Sequence, residues 1–179
     1  MKRTIVLAVI ALTVLSASAF AASASGTLAV SATINPSVTF VFQTDASGVA
    51  LGSSGTSAAT LNFGTVQAFG GTVPTNVTLS NTPATNNFSV STPVGFLVNA
   101  GNTTSANNYT LKAQLATADA VNTWTVGGSP TLNNTTAQTV TATGAYGTTA
   151  TSLPVKIVIP YSNTTGAISN TINFTVTTN

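Results

Sequence analysis

The chain contains no cysteine and no histidine, and only six of its 179 residues are charged: Lys2, Arg3, Asp45, Lys112, Asp119 and Lys156. An ordinary soluble sequence carries roughly 25% charged residues, whereas the figure here is 3%. Glutamate is absent, and Met1 is the single methionine. Each absence closes a class of function. Without His or Cys there is no ligand set for zinc or another transition metal. A Ser or Thr nucleophile would have only Lys or Asp to activate it, and nothing in the sequence brings the two aspartates together as a hydrolytic carboxylate pair. The sequence therefore reads as a non-enzymatic protein with no cofactor. If the chain is exported, the lack of cysteine also means that burial and backbone hydrogen bonding alone hold it together.

The formal net charge of +2 lies at the N-terminus. Met1, Lys2 and Arg3 form a short positive region, residues 4–16 form an apolar run, and residues 17–21 end in the small-residue pattern Ala19-Phe20-Ala21. That three-part build predicts a secretory signal peptide over residues 1–21, with an apolar run too short to span a membrane. Cleavage before Ala22 would leave two Lys and two Asp, a side-chain net charge of zero. Such a chain has no basic stripe for neutralising phosphates, which excludes nucleic acid as a partner. No later segment approaches the roughly 18 consecutive apolar residues of a spanning helix. The expected location is outside the cell: secreted, on the cell surface or in an extracellular fibre.

What is present is Thr, Ser, Asn, Ala, Gly and Val, with apolar and polar residues alternating in short runs. Period-two alternation is the signature of half-buried strands. It predicts strands over 26–34, 37–43, 60–66, 76–80, 88–92, 95–99, 108–115, 122–126, 138–143, 153–161 and 170–177, separated by turn clusters such as 45–48, 52–55, 127–130 and 163–166. Many short strands without helical periodicity predict an all-β antiparallel sandwich. Within it, Tyr109, Leu111, Ala113 and Leu115 share an inward face that sends Lys112 to solvent. Leu153, Val155, Ile157 and Ile159 do the same for Lys156. Asp45 and Asp119 fall in turns, where Asx-type bonding is their expected role. Trp124 alternates with Val126 and reads as a core anchor; the other reading is a sugar-stacking platform shared with Tyr109, Tyr146 and Tyr161.

The first segment after the expected cleavage point stands apart. Gly26, Leu28, Val30, Ala32 and Ile34 lie on one face of an extended run. That face needs a groove, either in its own domain as a first strand or in a neighbour's as a donated strand. Composition bears on the choice, because monomeric β-proteins protect their sheet edges with charges, especially Lys. This chain has almost none to spend there.

Three stretches taken together resemble the spore coat U domain proteins, which include pilins of the archaic chaperone/usher type. They are the alternating run 26–34 (GTLAVSATI), Leu61-Asn62-Phe63-Gly64, and the closing run 165–176 (TGAISNTINFTV). The resemblance implies an immunoglobulin-like sandwich that is incomplete and polymerises by donor-strand exchange. On that basis Gly26, Leu28, Val30, Ala32 and Ile34 would be the donor residues, and Ile172, Phe174 and Val176 would lie on the last strand beside the groove. The implied partners are copies of the chain or related subunits, with a periplasmic chaperone and usher. The family's cysteine has no counterpart, and Val38 stands about where one would be expected. The expected organisation is a signal peptide over 1–21, a donor-strand candidate over 22–35 and a β-sandwich domain over 36–179. The alternative function is a secreted monomeric glycan-binding or adhesion module. An outer-membrane barrel fits poorly, since most of the runs are shorter than the roughly 9 to 11 residues of a spanning strand and aromatic girdles are lacking.

Overall fold

A computed structural model describes residues 27–35, 37–101, 108–163 and 166–179. The chain divides into two units, Met1–Thr33 and Ile34–Asn179. In the first, residues 27–33 carry no regular secondary structure, and Leu28 and Val30 are 87% and 83% exposed. The expected strand over 26–34 therefore has no ladder partner among the described residues, and Gly26 lies outside them. Alternation specifies a face for a strand but supplies no neighbour for its backbone.

The second unit holds eight strands: β1 (Ser37–Thr44), β2 (Thr78–Thr82), β3 (Asn87–Gly101), β4 (Asn108–Leu115), β5 (Thr123–Val126), β6 (Gln138–Ala145), β7 (Thr151–Pro160) and β8 (Ile172–Thr178). All pairings are antiparallel. One sheet runs β1-β3-β7-β5, with β2 also paired to β3, and the other runs β6-β4-β8. Their inner faces share one apolar core, so the fold is the all-β antiparallel sandwich that the alternation predicts. Tyr109, Leu111, Ala113 and Leu115 on β4 are all buried, as are Val155, Ile157 and Ile159 on β7. Among the described residues no helix is long and apolar enough to cross a membrane.

Two further expectations need correction. The runs 88–92 and 95–99 are one 15-residue strand, β3, which continues through Pro93. Proline lacks the N–H a central strand must donate, yet β3 changes partner at this point. Its ladder with β2 ends at Ser91 and its ladder with β1 starts at Val94, so Pro93 falls in the gap, opposite Pro154 of β7. The buried Thr92 hydroxyl bridges that gap, donating to the Asn76 carbonyl at 2.8 Å and accepting the Val49 N–H at 2.9 Å. The second correction concerns 60–66, which is not a strand. The Gly64 N–H donates to Asn62 Oδ1 at 2.8 Å, and Gly64 takes a left-handed φ of 74°. A local Asx turn thus wins over extension in a segment whose composition suits both.

Candidate functional site

The interior of the sandwich opens into a groove of about 1380 Å³. Phe88, Val90 and Phe96 of β3, Val155, Ile157 and Ile159 of β7, and Trp124 of β5 form its floor. Phe40 and Phe42 of β1 stand at one wall, Ile172 and Phe174 of β8 at another, and residues 57–69 line it as well. Four phenylalanines from both sheets meet beside it: Phe174 lies 5.9, 5.3 and 5.3 Å from Phe40, Phe42 and Phe96, centroid to centroid.

β8 gives the groove its unusual wall. Ile172, Phe174 and Val176 face inward but are only half-buried, whereas the corresponding residues of β4, Leu115, Ala113 and Leu111, are fully buried. The difference follows from position. β4 has β6 on one side and β8 on the other, while among the described residues β8 has β4 alone. Among the described residues, no backbone group bonds the outer edge of β8. The outer edge of β1, by comparison, is partly closed: Phe42 N–H donates to the Thr56 carbonyl at 2.8 Å, and Gly55 N–H donates to the Phe42 carbonyl at 2.7 Å.

Charge is absent from every sheet edge. Both lysines of the sandwich sit on interior strands, Lys112 on β4 between Thr139 and Thr175, and Lys156 on β7 between Ser91 and Thr125. Lys112 is exposed, as expected; Lys156 is half-buried. The strands β1, β2, β5, β6 and β8 contain no charged residue. The device that usually keeps an edge from pairing with another chain is therefore missing.

The aspartates serve turns. Asp45 Oδ1 accepts the Ser47 N–H at 2.9 Å. Asp119 Oδ1 accepts the N–H groups of Val121 and Asn122 at 3.0 and 2.8 Å, and its Oδ2 accepts the Trp124 indole N–H at 2.7 Å. Burial by itself would raise the Asp119 carboxyl, but these bonds together outweigh it and lower the pKa from 3.8 to about 2. Trp124 is only 5% exposed, in line with the core reading and not with an exposed stacking platform. Among the described residues, no three His, Cys, Asp or Glu side chains come together as a metal site.

Of the residues singled out in sequence, Ile172 and Phe174 line the groove. Val176 lies further along β8, opposite Leu111, and is not part of the lining. Leu28, Val30, Ala32 and Ile34 are all exposed. Sequence reading missed Phe40 and Phe42 as groove residues, although their i, i+2 spacing within a predicted strand already put them on one face. It also missed the lining role of segment 57–69, whose alternation over 60–66 reads as a strand. No family model matches the chain, and no curated protein matches it.

Proposed function

We propose that this protein is an exported structural subunit of a pilus, fibre or surface coat, assembled by β-strand complementation. The observation that carries the reading is β8: an uncharged strand whose outer edge is unpaired among the described residues, with a half-buried apolar face beside an apolar groove. A further strand laid along that edge would take up the open backbone groups and bury Ile172 and Phe174. The segment 22–35 of another copy is suited to the part, because Leu28, Val30, Ala32 and Ile34 alternate on one face and are exposed in this chain. Membership of the spore coat U class, an immunoglobulin-like topology, and a chaperone and usher remain part of this proposal, resting on the sequence resemblance.

The test is negative-stain electron microscopy of purified residues 22–179 beside residues 36–179. Filaments or large polymers from the first and monomers from the second are expected. Stable monomers from both, with the same thermal midpoint, would overturn the reading.

A further inference from the structure

We infer that residues 57–69 form a displaceable cover over the groove, one that stands in for an incoming strand's side chains but not for its backbone. The inference rests on the strand-complementation reading and concerns how that site is kept closed.

The cover is apolar where it touches the protein. Leu61, Phe63, Val66 and Ala68 are half-buried and pack against the core, and the whole segment lines the groove. A strand inserted into the same groove would offer it the same kind of surface.

Its backbone, however, is tied down only near its start. The one ladder contact it makes among the described residues is the bridge between Thr60 and Gly52, closed by N–H···O bonds of 3.0 and 2.9 Å. The next backbone bond along the chain runs from Val77 N–H to the Pro74 carbonyl at 3.1 Å. Among the described residues, no backbone-to-backbone hydrogen bond involves residues 61–73, and the Gly64 N–H is satisfied only by the neighbouring Asn62 side chain. A segment held by side-chain contacts alone opens at lower cost than one in a ladder.

Its far end is built to swing. Gly70 and Gly71 follow the cover with φ of 72° and 77°, a left-handed pair that glycine adopts without strain. Just before them Phe69 latches the cover, its ring 4.9 Å from that of Tyr161, which in turn stacks on Phe88 of the groove floor. The latch is exposed on its far side, since Phe69 is 64% accessible. The Tyr161 hydroxyl is itself buried without a hydrogen-bond partner among the described residues.

The closed state therefore satisfies the apolar demand of the groove and, among the described residues, leaves the β8 edge unpaired. An incoming strand satisfies both. Exchange of cover for strand is then downhill, while the cover keeps the apolar floor from water until a strand arrives.

The experiment uses residues 22–179 carrying Val30→Asp, which the reading makes unable to donate, with and without Phe69→Ala. A fluorescent peptide of residues 22–35 is added, its uptake is timed, and limited proteolysis within 61–69 is followed by mass spectrometry before and after. Phe69→Ala is expected to speed uptake roughly three- to tenfold, as loss of one aromatic pair implies. In the protein without the Phe69 change, residues 61–69 are expected to be cut faster once the peptide is bound. Uptake at the same rate in both proteins, with cleavage within 61–69 unchanged, would overturn the cover and leave strand complementation standing. No uptake by either protein would overturn both.

Discussion

Phe42 of β1 and Phe174 of β8 meet edge to face, with ring centroids 5.3 Å apart and planes at 71°. They belong to end strands of different sheets, so their contact closes the sandwich at a corner where no third strand helps. Phe174→Ala removes this contact together with those to Phe40 and Phe96. The expected loss is about 2–4 kcal/mol in urea unfolding, with Phe174→Leu costing much less. A loss within about 0.5 kcal/mol, the range of an ordinary surface change, would show that β8 is not packed as described.

Val30→Asp separates folding from assembly. Val30 is 83% exposed, so the substitution should leave the unfolding free energy within about 0.5 kcal/mol of the parent. Under the proposed function it should nevertheless abolish polymers, because a carboxylate cannot enter an apolar groove unpaired. Light scattering and a thermal melt on the same samples decide it. Undiminished polymer growth would remove the segment from the assembly.

Acid should weaken the fold through Asp119. Its folded pKa of about 2 lies below the ordinary 3.8, so the carboxylate contributes stability above pH 3.8 that disappears as pH falls from there towards 2. With no histidine to titrate, the melting midpoint should stay nearly flat between about pH 5 and 9 and drop below about pH 4. Asp119→Asn should flatten the acid limb. An unchanged limb in that variant would place the acid sensitivity elsewhere.

Thr92→Val tests the partner switch in β3. The substitution keeps the shape but strands the Val49 N–H and the Asn76 carbonyl, both of which the hydroxyl serves. A loss of about 1–3 kcal/mol is expected, and Thr92→Ser should recover most of it. Equal stability of the valine and serine variants would mean that those two backbone groups find other partners.

Gly144→Ala tests the facing of β4 and β6. Gly144 lies opposite Tyr109, and a Cβ there would overlap the tyrosine ring. Overpacking of this kind costs about 1–3 kcal/mol, readable from chemical unfolding. Pairing the change with Tyr109→Leu should relieve most of that cost, and failure to relieve it would place the strain in the backbone.

The strand periodicity, the inward faces of β4 and β7, the Asx roles of both aspartates and the buried Trp124 were all legible from residue order. The reason is local: alternation, turn chemistry and the side-chain inventory need no knowledge of distant chain. What stayed illegible is mostly non-local. Pro93 argued for a break, and only the arrival of β1 and β2 on either side of it shows why β3 continues. One miss was local: residues 60–66 had a strand's composition, and that composition suits equally the Asx turn at Asn62 and the left-handed Gly64 that the structure shows.

By itself, then, the sequence determined an almost uncharged all-β chain without histidine, cysteine or glutamate, and the face that most strands would bury. Only the tertiary structure decided which strands are interior and which are edges. That decision puts Lys112 and Lys156 in the middle of their sheets and leaves β8 bare, because an edge is defined by the neighbour a strand lacks, and residue order does not record a missing neighbour.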